Sequence, residues 1–94
     1  MVASTGDTTP PTIMNCPMDI NLALPVGQTT GQVFWTEPTA TDNDGQMPLQ
    51  SSTHLPGEGF PSGTTQVTYT FLDQALNPSI CTFNVILTGK AIIK

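Results

Sequence analysis

Two cysteines are the residues whose number and spacing most narrowly limit their chemistry. Cys16 and Cys81 are the chain's two cysteines and lie far apart in the sequence. A zinc site needs about four ligands arranged in closer pairs, so the two cysteines predict a disulfide instead. The alternative is a reactive thiol, which needs a nearby basic group to lower its pKa, and no basic residue flanks either cysteine. In a small domain an oxidised pair indicates a secreted or extracellular protein.

An acidic turn is the one cluster whose residue types suit a metal ion. Asp42-Asn43-Asp44-Gly45 places two carboxylates and an amide oxygen together, and such hard oxygen ligands suit Ca²⁺. A complete site needs about six to eight oxygens, and the turn lacks the glutamate that completes an EF-hand loop. The acids that would have to complete it in space are Asp7, Glu37, Glu58 and Asp73. The alternative is a solvated turn whose side chains bond their own backbone. Asp42 and Asp44 are therefore candidate ligands for weakly bound calcium, and we expect no other cofactor.

His54 lies near several serines and acids, so the chain contains the residue types of a Ser-His-Asp triad. A triad is defined by geometry, and hydroxyl side chains are so abundant here that such a coincidence is expected. The sequence also lacks a nucleophile elbow. We therefore predict that the chain is not an enzyme. A hydrolase would need His54 within hydrogen-bond reach of a serine or threonine.

Trp35 is the chain's single tryptophan, and it has two interpretations. It is either an exposed anchor for a ligand or a core aromatic packed near the disulfide, as in other β-sandwiches. We predict that it belongs to the core. An exposed aromatic platform would favour carbohydrate binding, whereas a buried Trp35 with no other exposed ring would count against it.

The charge balance excludes two classes of partner. The chain has seven acidic residues, two lysines and no arginine, for a net charge of -5. Binding to nucleic acid or to anionic lipid depends on lysine and arginine, so we expect no nucleic-acid partner. No apolar run approaches the roughly 18 residues of a membrane-spanning helix, and we expect no insertion into a membrane.

Alternation of apolar residues predicts strands and no helix. Two strands are clearest: residues 64–72, with Val67 and Phe71 on one face, and residues 79–87, with Cys81 and Val85 on one face. They should form an antiparallel hairpin. Shorter strands are predicted at 13–16, 20–24, 32–37 and 49–54, with residues 39–42 as an extension of the 32–37 strand. Phe60 lies in a long irregular connection and is expected to fold into the core. Nine prolines and eight glycines spread through 94 residues indicate frequent turns, as in a sandwich or barrel.

The domain boundaries follow from the same reading. Residues 1–6 lack the basic start and apolar run of a signal peptide, so we interpret them as an expression remnant or linker. Residues 7–88 are predicted to form one domain and residues 89–94 a C-terminal tail. We expect the chain to be a fragment of a larger secreted protein.

Several motifs taken together resemble the hyalin repeat (HYR) family over residues 7–87. They are Pro10-Pro11 before Ile13-x-x-Cys16-Pro17, then Val33-x-Trp35-x-x-Pro38-x-Ala40-Thr41-Asp42-Asn43, then Phe60-Pro61-x-Gly63-Thr64-Thr65-x-Val67-x-Tyr69, and Asp73 followed by Cys81-x-Phe83-x-Val85. One departure is visible. The family usually has Gly-Asn in the turn after the aspartate, where this chain has Leu76-Asn77. Either Asn77 takes the left-handed conformation there, or the turn has a different shape.

The resemblance implies an immunoglobulin-like or fibronectin-type-III-like β-sandwich of about seven antiparallel strands, in an extracellular multi-repeat protein linked to cell adhesion. Its function would be that of a noncatalytic adhesion or matrix module. Its partners would be proteins, either a cell-surface receptor or neighbouring repeats. The alternative is a carbohydrate- or calcium-binding accessory domain of a secreted protein, because sandwiches also serve in that role.

Overall fold

The structure is a computed structural model that describes residues 9–43 and 45–89. It is all-β, and the described residues contain no helix. The eight strands are β1 (Thr12–Met14), β2 (Ile20–Ala23), β3 (Thr30–Gln32), β4 (Thr39–Thr41), β5 (Leu49–Ser52), β6 (Gly59–Pro61), β7 (Gly63–Leu72) and β8 (Pro78–Thr88). No helix long and apolar enough to cross a membrane occurs in that part of the chain.

The largest sheet has four strands in the order β2-β8-β7-β5. Its centre is the antiparallel β7–β8 hairpin, in which Val67 lies opposite Phe83 and Tyr69 lies opposite Cys81. The hairpin predicted from the sequence is thus confirmed. Two short pairs, β1–β4 and β3–β6, complete the fold, which is consistent with an immunoglobulin-like sandwich.

The core consists of side chains that alternate along the two long strands, together with residues from outside the four-stranded sheet. The period of two in β7 and β8 turns every second residue inward. The buried apolar residues are Leu24, Val33, Phe60, Val67, Tyr69, Phe71, Cys81, Phe83, Val85 and Leu87. Phe60 is only 1% exposed, so the prediction that it folds inward is confirmed, although it does so from strand β6 and not from an irregular loop.

The N-terminal segment differs from the all-antiparallel arrangement that we expected. β1 pairs with β4, and then the chain changes partners so that β2 pairs in parallel with β8. The crossing occurs around Cys16 and Pro17, after Asn15 adopts a positive φ of 63°, which asparagine tolerates better than most residues. Because the segment continues in the direction of β8 after the crossing, its new pairing is parallel.

The predicted strand at 32–37 is also different in the structure. β3 ends at Gln32, and Val33 joins only the loop opposite, donating to the Glu58 carbonyl and accepting from the Gly57 amide. Gly57 has a φ of 90°, so the segment that contains it turns away from residues 33–37 and the ladder cannot continue. The predicted extension at 39–42 is a separate strand, β4.

The chain enters and leaves the described domain at opposite ends. At one end, which we call the N-terminal pole, the Ser79 hydroxyl donates to the carbonyl of buried Pro11. The turn at 73–77 lies there, and so do residues 42–43 and 45–47, because Thr41 pairs with Thr12. At the other end, the C-terminal pole, Gly89 lies beside Gln28 and Ser62. The predicted segment 1–6 lies outside the described residues, and so do residues 90–94 of the predicted tail 89–94.

Candidate functional site

A disulfide joins Cys16 to Cys81, with their Cα atoms 5.8 Å apart, and the predicted pairing is confirmed. Cys81 is buried in β8, whereas Cys16 lies at the surface just after β1. The bond therefore ties the N-terminal segment at the surface to the buried side of the last strand. Closing a loop of 65 residues contributes about 4 kcal/mol to stability in the chain-entropy model.

Trp35 lies at the rim of the core, partly buried, and is held by aromatic and polar contacts. Its ring makes edge-on contacts with Phe60 and Phe83, at centroid distances of 5.9 and 5.2 Å. Its indole Nε1–H donates to the Tyr69 hydroxyl at 2.8 Å, and that hydroxyl donates to Glu37 Oε2 at 2.9 Å. The ring body is thus apolar packing, and its polar edge starts a hydrogen-bonded chain that ends at a carboxylate.

The Tyr69 phenol stays protonated well above neutral pH. Burial raises the pKa of Tyr69 to about 12; the hydrogen bond from Trp35 lowers the pKa in part, and the hydrogen bond and negative charge of Glu37 raise it again. A phenol with this pKa donates at neutral pH and does not act as a base. We therefore assign Trp35, Tyr69 and Glu37 to the support of the core.

The acidic turn has one described carboxylate. The Gly45 amide donates to the Asp42 carbonyl at 3.1 Å, and Gly45 has a φ of 80°, so a tight turn closes here. Asp42 is half-buried and lines an open depression of about 240 Å³ together with Ala40, Thr41, Gly45, Gln46 and Met47. The second candidate ligand, Asp44, lies outside the described residues, as does Asp7.

The other acids that could have completed a calcium site have separate partners. Glu37 accepts from Tyr69, Glu58 accepts from the Leu55 amide, and Asp73 accepts from Asn77. Within residues 9–43 and 45–89 no three side chains of His, Cys, Asp or Glu form a group that could hold a metal ion. Calcium binding at Asp42 and Asp44 stays a prediction.

His54 has a hydroxyl partner but not the surroundings of a catalytic base. Its Nδ1 lies 3.1 Å from Thr53 Oγ1, and its ring lies 5.3 Å from that of Phe60. The Thr53 hydroxyl oxygen also accepts from the Thr68 amide, so it ties the end of β5 to β7. In the described part of the chain no carboxylate forms a hydrogen bond with His54. The hydrogen-bond reach that a hydrolase requires is met, but by a threonine with a structural role.

Phe34 is an exposed ring that the sequence did not single out. Its side chain is 69% exposed, because it points away from the core between inward-facing Val33 and Trp35. It lies over Gly57, where an added Cβ would come within 3.2 Å of the ring. The feature that we expected to favour carbohydrate binding is therefore present at Phe34 and absent at Trp35.

The turn between β7 and β8 is held by a buried aspartate, which the sequence suggested only indirectly. Asp73 is 4% exposed, and its carboxylate accepts from both the backbone and the side-chain nitrogen of Asn77, at 2.8 and 2.9 Å. Leu76, and not Asn77, has the positive φ, at 68°. The sequence signal for this positive φ was the glycine that the family usually has at position 76.

Comparisons with known proteins agree with this architecture. A family model described as the HYR domain matches residues 6–87. The chain is 48% identical over 87 residues to "Hyalin" of Strongylocentrotus purpuratus, which covers 92% of this chain and 7% of that protein. Identity is also 48% over 79 residues to "Hyalin" of Lytechinus variegatus, covering 84% of this chain and 15% of the relative.

A more distant similarity extends to a second kind of protein. The chain is 36% identical over 77 residues to "Sushi, von Willebrand factor type A, EGF and pentraxin domain-containing protein 1" of Rattus norvegicus, covering 77% of this chain and 2% of that protein. No solved structure matches. The chain spans a small part of the length of each of these relatives. Its motifs, its disulfide and its family match agree, and the chain belongs to the HYR domain family.

Proposed function

We propose that the chain is a noncatalytic extracellular module for adhesion or matrix assembly, which acts through protein contacts as one unit of a tandem-repeat secreted protein. The observation that carries this proposal is the position of the two poles. The chain enters beside Ser79 and leaves beside Gln28, at opposite ends of the domain. Units built in this way join end to end.

The disulfide suits a module that is pulled from both ends. Residues 11–23 run alongside β8 in the same direction, and β2 and β8 form a parallel pair. Tension between the poles would shear this pair instead of peeling it. The disulfide from Cys16 to Cys81 then carries the tension covalently. The chain between the two cysteines, which is most of the domain, is therefore not under load.

The size of the relatives supports a repeat within a longer protein. The chain corresponds to 7% of one hyalin and 2% of the Sushi-domain protein. A disulfide in so small a domain fits an oxidising, extracellular location. Contacts with a receptor or with other repeats would use the loops at the poles and the edge strands, where backbone groups and side chains are accessible.

A cell-attachment assay tests this function. Surfaces are coated with the chain in three forms: native, Cys16→Ser with Cys81→Ser, and His54→Ala. We expect cells to attach to the native and His54→Ala forms at the same level, and less to the double-serine form, because attachment needs the fold and not the histidine. Attachment no higher on the native chain than on albumin would refute the proposal.

Carbohydrate binding is the second candidate, and exposed Phe34 is the observation that favours it. An exposed ring can stack against the apolar face of a sugar. A screen of native chain and Phe34→Ala on immobilised glycans tests the idea. Binding that Phe34→Ala abolishes would support it, and a native chain that binds no glycan would refute it.

A further inference from the structure

Exposed apolar side chains gather at the N-terminal pole. Leu49 and Ile80 are 70% and 60% exposed, and Leu76 is 71% exposed in the turn between β7 and β8. Leu72 lies directly opposite Leu49. We define the N-terminal patch as Met47, Leu49, Leu72, Leu76 and Ile80.

The sheet register places Leu49, Leu72 and Ile80 next to one another. Leu49, Leu72 and Pro78 form one cross-strand row, and Ile80 lies two residues further along β8, opposite Thr70. Because side chains in a strand alternate between faces, these residues share the face opposite buried Phe71 and Cys81. No residue in the four strands of this sheet is charged. The patch is therefore continuous with a neutral surface, and clustered exposed apolar residues of this kind mark interaction sites.

The path of the chain indicates what would cover the patch. Pro10-Pro11 lies next to Thr9 at the start of the described residues, Pro11 is buried, and its carbonyl accepts from Ser79. Two consecutive prolines restrict the backbone, so they limit the directions from which a preceding unit can approach this pole. In a tandem protein that unit is another repeat, and it presents its C-terminal pole.

The C-terminal pole has a feature that complements the patch. Val26 is 61% exposed there, in a turn closed by the hydrogen bond from the Gln28 amide to the Pro25 carbonyl. An exposed valine at this pole can pack against the apolar side chains of the patch.

We propose that the N-terminal patch packs against the C-terminal pole of the preceding HYR repeat, so that consecutive repeats form a stiff rod. This inference rests on the proposed function, because it names the neighbouring repeat as the partner. It assigns the exposed leucines a role in contacts between repeats.

The test uses two consecutive copies of the 94-residue chain in one polypeptide, with one copy at a time labelled for NMR. We expect amide shifts at residues 47–50 and 76–80 of the second copy to differ from those of the single chain, together with shifts at residues 25–28 of the first. We also expect the two copies to tumble as one elongated body. Spectra of both copies that superimpose on that of the single chain would overturn the inference.

Matched variants distinguish contact through the patch from nonspecific hydrophobic association. Leu49→Lys with Ile80→Lys in the second copy should restore the single-chain shifts and independent tumbling. Met18→Lys is the control, because Met18 is 86% exposed but lies outside the patch. It should leave the contact intact, and loss of the contact in both variants would overturn the assignment to the patch. Single chains carrying each change are melted first to establish that they fold. Two copies that tumble independently but still support cell attachment would refute this inference while leaving the proposed function standing.

Discussion

Replacing Leu76 with glycine should stabilise the domain, although glycine usually destabilises. Leu76 has a φ of 68° and is 71% exposed. The left-handed conformation costs a residue with a Cβ about 1–2 kcal/mol, while glycine adds about 0.5–1 kcal/mol of unfolded-state entropy. Since little packing is lost, Leu76→Gly should raise the free energy of unfolding by about 0.5–1 kcal/mol, or several degrees in melting temperature for a domain of this size.

The neighbouring residue provides the control. Ala75 lies in the same turn and is not among the described residues with positive φ. Ala75→Gly should therefore lower the free energy of unfolding by about 0.5–1 kcal/mol. Both variants are compared with the parent chain by urea unfolding, followed through the fluorescence of the single tryptophan. If Leu76→Gly destabilises as much as Ala75→Gly, the explanation of this turn is wrong.

Three further predictions concern the core and the acidic turn. Trp35→Ala should lower the free energy of unfolding by about 3 kcal/mol, the lower end of the range for large aromatic truncations. The fluorescence emission of native Trp35 should shift to the red on unfolding. Ready quenching of the native emission by iodide would contradict this, because it would show an exposed ring. Absorbance at 295 nm should titrate the single tyrosine, Tyr69, near pH 12 in the native chain and near 10 when unfolded. Stability should therefore fall as the pH rises from 10 to 12, because the unfolded chain loses the phenolic proton first, and Glu37→Gln should lower the native midpoint. Millimolar calcium should stabilise by only about 0.4 kcal/mol or a little more. A ten-degree shift abolished by Asp42→Asn with Asp44→Asn would instead show a complete site.

The sequence predicted best what depends on strict alternation and on cysteine number. The β7–β8 hairpin and the disulfide both follow from such local or countable signals. Residues 32–37 were predicted as one strand because Val33 and Trp35 both face inward, yet facing the core does not require a ladder. The ladder ends where the opposite segment turns away at Gly57. Which segment lies opposite depends on tertiary structure, so the end of the strand was not predictable from residues 32–37 alone.

Features that depend on placement in space were beyond the sequence. The parallel pairing of β2 with β8 follows from a crossing between layers at Cys16, and periodicity within one strand does not show which strand lies beside it. Leu49, Leu72 and Ile80 lie in one patch because the sheet register aligns them, although Leu49 is distant from the other two in the sequence. The unusual backbone of Leu76, by contrast, was signalled by the sequence, because the family usually has a glycine at this position.

The most direct test of the account is the extension of the domain under force. Two copies of the chain flanked by inert domains are stretched at constant rate, with and without reductant. Because the disulfide bridges a separation of 65 residues, reduction should release about 220 Å of additional length per repeat at about 3.3–3.6 Å per residue. Oxidised repeats should extend only by their short terminal segments. An equal full-length extension in both states would contradict a module that keeps its length under tension.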